Sequence, residues 1–91
     1  MNVVISIGNT DNKLTQKLWS EFVTQVNTVL DKNSKIHFFG GPSSYSPYQN
    51  ACWWIEVDKN KIYSIRSVLR EIKYKFNQDS IAWLSGETEF I

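Results

Sequence analysis

The chain has 91 residues, enough for one domain and too few for two. Its net charge of +1 excludes a protein held to nucleic acid by bulk charge, because such proteins carry a strong basic excess. The single cysteine, Cys52, excludes an internal disulfide and fits a reducing compartment.

"MNVVISIGNT" has no basic stretch, and its apolar run is too short for a signal or a membrane span. A cytoplasmic protein is expected. Within this opening, "NVVISIGN" reads as the first strand, with Val3, Ile5 and Ile7 alternating against Val4 and Ser6. Gly8-Asn9 ends it, and "TDNK" is a loop.

"LTQKLWSEFVTQVNTVLDKN" reads as the first helix. Leu14, Leu18, Phe22, Val26 and Leu30 mark its buried stripe, widened by Val23 and Val29. Thr15 is the expected N-cap, with Leu14 and Trp19 stapled across it. "KIHFFG" is a short second strand and "GPSSYSPYQN" a long loop. "ACWWIEV" is the third strand, with Trp53, Ile55 and Val57 on one face and Cys52, Trp54 and Glu56 on the other. "IYSIRSVLREIKYKFN" is the second helix, buried along Ile62, Ile65, Leu69, Ile72 and Phe76. "QDS" turns the chain into the last strand, "IAWLSGETEFI", with a bulge or tight turn expected at Ser85-Gly86-Glu87.

The order β-α-β-β-α-β predicts an α+β fold of the ferredoxin-like kind over residues 1–91 as a single domain. Its antiparallel sheet is expected in the order 4-1-3-2, with both helices on one face. Right-handed crossovers then bring three loops to one end: 8–13, 41–50 and 77–80. Asn9, Thr10, Asp11, Asn12, Tyr48, Gln49, Asn50, Asp79 and Ser80 are the ligand-binding candidates there. Amides and carboxylates read the edges of a polar ligand, and a tyrosine stacks on it or hydrogen-bonds to it. Plain turn chemistry favours the same residue types. The length of the second loop, beyond that of an ordinary hairpin connection, favours function.

The free face of the sheet is the second candidate surface. Val4, Phe39, Cys52, Trp54 and Trp83 are expected on it, with Phe38 and Leu84 as the alternatives on their strands. A face this apolar calls for a cover, and a homodimer is preferred to base stacking because strand three lacks the aromatic RNA-binding signature.

Other groups point less directly to chemistry. His37 has no partners at metal-ligand spacing, so no metal or other cofactor is implied. His37 and Cys52 on adjacent strands make a formal nucleophile pair, but a lone strand cysteine is usually a small buried hydrophobe. Lys61, Arg66, Arg70, Lys73 and Lys75 make a mildly basic helix face, read as a solvated helix surface in preference to a contact for phosphate or an acidic partner. Asp11, Asp79, Glu87 and Glu89 converge only if the last strand doubles back; paired carboxylates would then suit acid–base chemistry on a nucleotide or phosphodiester.

"IGNTDNKLTQ", "PYQNACWW" and "NQDSIAWLSGETEFI" together resemble a group of short proteins encoded in bacterial and phage genomes. Those proteins carry an IGN-S/T-D opening, a QNACW segment and a QDSIA…TEF tail. The resemblance implies a small accessory protein, phage-related and at work in the host cytoplasm. Small phage proteins often act by binding, either blocking a host defence protein (anti-defence) or sequestering a signalling nucleotide. The expectation is a small non-enzymatic binding protein using its three polar loops on a small polar ligand, such as a nucleotide, or on a host protein. The alternatives are a small enzyme using the loop carboxylates and a protein–protein adaptor using the aromatic sheet face.

Overall fold

A computed structural model describes residues 1–41 and 49–91. Strand β1 (Asn2–Gly8) leads through a short 3-10 turn (Thr10–Asn12) into helix α1 (Gln16–Asn33). Strands β2 (Lys35–Gly40) and β3 (Asn50–Glu56), helix α2 (Lys59–Lys75) and strand β4 (Ala82–Gly86) follow. The fold is α+β: four antiparallel strands in the order β2-β3-β1-β4, with two helices. No helix among the described residues is long and apolar enough to cross a membrane.

Local sequence explains the helix ends. The Thr15 hydroxyl accepts from the Leu18 backbone N–H at 3.2 Å, which caps α1. Leu14 and Trp19, on either side of that cap, are both buried in the core. The stripe along α1 is Trp19, Phe22, Val26 and Leu30; Leu18, expected in it, is exposed. The reason is helical drift. Four residues turn a helix about 40° past a full circle, so an every-fourth pattern extended back from Leu30 to Leu18 has rotated about 120° from Leu30 and out of the buried arc.

At its far end α2 closes on Asn77, which adopts φ 53°. The Asn77 N–H donates to the Tyr74 carbonyl at 3.1 Å, and the Gln78 N–H to the Lys73 carbonyl at 3.0 Å. This pair of bonds is the Schellman closure, and asparagine tolerates the left-handed position it requires.

One face of the sheet, Val3, Ile5 and Ile7 with Ala51, Trp53 and Ile55, joins the buried residues of α1 and α2 in a single core. Trp53 is fully buried at its centre, and its indole N–H donates to Asn27 Oδ1 of α1 at 3.0 Å. That bond satisfies the polar end of an otherwise apolar ring. Phe22 stacks on Phe76 with ring centres 5.1 Å apart, so α1 is locked to the end of α2.

Two short strands depart from the expected faces. Strand β2 has a register shift between Ile36 and Phe38, so His37 is the extra residue of a bulge. Beyond it Phe38 opposes Trp54 on the open face, while Phe39 opposes Trp53 and lies 4.9 Å from its ring on the helix side. In β4, Trp83 opposes Ile5 and packs against the core, and Leu84 opposes Val4 on the open face. The expected placement of Phe39 and Trp83 on the open face is therefore corrected: Phe38 and Leu84 stand there. Strand β4 ends at Gly86, opposite Asn2, and no further strand follows among the described residues.

Candidate functional site

The loop end is organised by one side chain. Asn9 follows β1 directly and is only 4% exposed. Its Oδ1 accepts from the Leu14 N–H at 2.9 Å, and its Nδ2 donates to the Leu14 carbonyl at 3.0 Å. The second Nδ2 hydrogen goes to Gln49 Oε1 at 2.6 Å. The backbone takes part as well, since the Asn9 N–H donates to the Gln49 carbonyl at 3.0 Å and the Asn9 carbonyl accepts from the Asn12 N–H at 3.1 Å. Gln49 Nε2 then donates to Gln16 Oε1, in the first turn of α1, at 2.6 Å.

This chain of amides fastens the 9–14 loop to the segment entering β3 and to the start of α1. It also explains how Asp11 (φ 52°) and Asn12 (φ 54°) hold consecutive left-handed conformations. Short polar side chains tolerate that region better than others, and the surrounding bonds leave the backbone little alternative. Lys13 reaches the third loop, with its Nζ 3.6 Å from Asp79 Oδ1. Contacts thus tie all three loop segments together: Asn9 to Gln49, and Lys13 to Asp79.

The expected ligand-binding residues divide into two kinds. Asn9 and Gln49 engage their amides with the protein itself, and both Asn9 donors are used. They form the frame. Asp11, Asn12, Asp79 and Ser80 are exposed on it, and Asn50 is half-buried at the start of β3. Thr10 lies within the 3-10 turn between Asn9 and Asp11. Tyr48 lies outside the described residues.

The carboxylates do not gather. Strand β4 runs from Ala82, opposite Ser6, to Gly86, opposite Asn2, so Glu87 follows at the end away from Asp11 and Asp79. No group of three or more His, Cys, Asp or Glu side chains among the described residues is arranged to hold a metal ion. His37 turns toward Trp54, with ring centres 4.7 Å apart, and its Nε2 lies 3.2 Å from Glu56 Oε1.

A cleft lies between α2 and β4. Arg66, Leu69, Arg70, Lys73, Asp79, Ser80, Ile81 and Trp83 line a cavity of about 190 Å³. Arg66, Arg70 and Lys73 are spaced four and three apart, which puts them on one flank of the helix. The Arg66 guanidinium sits 5.4 Å from the Trp83 ring centre. Strand β4 thus supplies an aromatic ring to this basic flank.

The open face of the sheet carries an ordered pattern. Phe38, Trp54, Val4 and Leu84 are successive register partners and form one apolar row across all four strands. Phe38, Trp54 and Leu84 are 56%, 37% and 69% exposed. The next row toward the loop end is Gly40, Cys52, Ser6 and Ala82, all small. Compared with protein-family models and with curated proteins, the chain matches none of either.

Proposed function

We propose that this protein is a non-enzymatic binding protein with a ferredoxin-like fold, both helices on one face of the sheet, whose loop end holds a small polar ligand. One observation carries the reading: the loop end is braced by the Asn9–Gln49–Gln16 chain and the Lys13–Asp79 pair. A frame ordered in advance lowers the entropy lost when a ligand is fixed. Asp11, Asn12, Asn50, Asp79 and Ser80 supply the ligand-facing groups. Acid–base chemistry forms no part of the proposal, because β4 carries the chain away from Asp11 and Asp79 before it reaches Glu87.

Native and denaturing mass spectrometry of the purified protein test it. The expected result is a small molecule retained in the native species and released on denaturation. It should be lost from Asn12→Ala or Asp79→Ala protein that keeps its circular dichroism spectrum. If neither the purified protein nor protein exposed to a host metabolite extract retains any ligand, the reading is wrong.

A second copy of the chain is proposed as the cover of the open face, with Val4, Phe38, Cys52, Trp54 and Leu84 at the contact. The support is the pairing of an apolar row with a parallel row of small residues. A two-fold axis running along the rows, midway between them, sets the large row of each copy over the small row of the other. The likeness of the IGNTD, QNACW and QDSIA segments to phage and bacterial proteins supports a role in the host cytoplasm. A host defence protein is the competing occupant, and sedimentation of the purified chain decides between them. A dimer that Leu84→Lys converts to monomer supports the second copy; a wild-type monomer at high micromolar concentration removes it.

A further inference from the structure

We infer that the cleft between α2 and β4 is a phosphate site, and that its ligand is a mononucleotide with its base against Tyr63. The inference goes beyond the loop-end reading above: it names a second site, which borders the loop end at Asp79 and Ser80. Arg66, Arg70 and Lys73 line the cleft, with the Lys73 ammonium 4.7 Å from the Tyr74 ring centre, and none of the three has a carboxylate partner among the described residues. Among the described residues the one carboxylate in the lining, Asp79, is 3.6 Å from Lys13. The remaining segment, "PSSYSPY", contains no acidic residue to neutralise them.

Like charges four residues apart on a helix repel, so Arg66 and Arg70 carry a local penalty that a bound anion would relieve. Arg66 is held in place by the Trp83 ring, and a fixed guanidinium loses less freedom on binding. Two forked guanidiniums with a nearby ammonium suit the tetrahedral oxygens of phosphate, and the Ser80 hydroxyl in the lining adds a further donor.

The cleft alone is too small for a nucleotide. It shares Arg66 and Arg70 with a second groove of about 520 Å³, lined also by Met1, Lys59, Ile62 and Tyr63. Tyr63 is 81% exposed, offering a free aromatic face beside the apolar Ile62. A phosphate between Arg66, Arg70 and Lys73 therefore leaves its organic part above a surface suited to a planar base.

The test is titration of the ¹⁵N-labelled protein with inorganic phosphate, AMP and adenosine, followed by amide and arginine side-chain chemical shifts. Saturable shifts at residues 66–73 and 80–83 are expected with phosphate and AMP. AMP should bind at least about tenfold more tightly than phosphate, and adenosine weakly, if the base and phosphate each contribute. Arg66→Gln/Arg70→Gln should weaken AMP more than tenfold while leaving the rest of the spectrum in place. Tyr63→Ala should weaken AMP but not phosphate. Shifts confined to the loop end, or no saturable shift at millimolar AMP, overturn the inference. The binding-protein reading still stands in either case if mass spectrometry finds another retained ligand. A short single-stranded oligonucleotide that binds the same residues more tightly than AMP also overturns the mononucleotide assignment.

Discussion

Trp53 and Trp54 are neighbours in sequence and opposites in circumstance. Trp53 faces the core, fully buried, with its indole N–H bonded to Asn27 of α1 at 3.0 Å. Trp54 faces away, 37% exposed, with its indole N–H bonded to Asn2 at 3.1 Å. The same residue type with the same kind of partner thus sits on two surfaces of different physics. On the closed face the ring has displaced all its water, so the hydrogen bond has no substitute. On the open face water competes for the bond, and the ring keeps apolar surface available to a partner. One strand therefore serves both stability and recognition, through nothing more than the alternation of its side chains.

That contrast sets an order of expected effects. Trp53→Ala should be the most damaging, costing about 3–5 kcal/mol of unfolding free energy, a large part of what a domain this size holds; urea denaturation checks it. Asn9→Ala comes next. It strips partners from both Leu14 backbone groups and from Gln49, and should cost about 2–3 kcal/mol in the same assay. Faster amide exchange at residues 9–16 should accompany it if the loop frame depends on that side chain. Asn27→Ala leaves the Trp53 N–H buried without an acceptor, for about 1–2 kcal/mol. The matching change on the other face, Asn2→Ala, should cost under about 0.5 kcal/mol, because water replaces the acceptor. If the two asparagine variants cost the same, the contrast between the faces fails. Trp54→Ala should sharpen it from the other side. It should cost under about 1 kcal/mol at micromolar dilution and more at concentrations where the chain self-associates.

Much of this architecture is legible in the sequence, and the exceptions have physical causes. The long helices and the two central strands announce themselves because each has one fully buried side. Val3-Ile5-Ile7 and Ala51-Trp53-Ile55 alternate cleanly for that reason. The edge strands are buried weakly on both sides, and consecutive aromatic or apolar residues such as His37-Phe38-Phe39 and Trp83-Leu84 give no period to read. A bulge at His37 then decides which residue faces where. At the loop end, the meeting of three loops follows from topology. That Asn9 and Gln49 turn inward does not, since an asparagine in a turn looks the same whether it caps a loop or awaits a ligand. The α2–β4 cleft escaped for a related reason. The Arg66-Arg70-Lys73 spacing was visible, but the ring beneath Arg66 comes from a strand whose register only the folded structure reveals.

The amide chain at the loop end has a direction. A carboxamide can turn over and exchange its donor and acceptor ends, so Gln49 and Gln16 have no polarity of their own. The Leu14 carbonyl cannot turn over. By accepting from Asn9 Nδ2 it fixes which end of Asn9 donates, and so obliges Gln49 to present its oxygen to Asn9 and its nitrogen to Gln16. Gln16 must then receive on its oxygen, leaving its own NH₂ group to point away from the chain. A single main-chain carbonyl inside the protein thereby orients a donor at the first turn of α1. An aspartate at position 9 would set an oxygen against that carbonyl and remove the wire's sense of direction along with its first link.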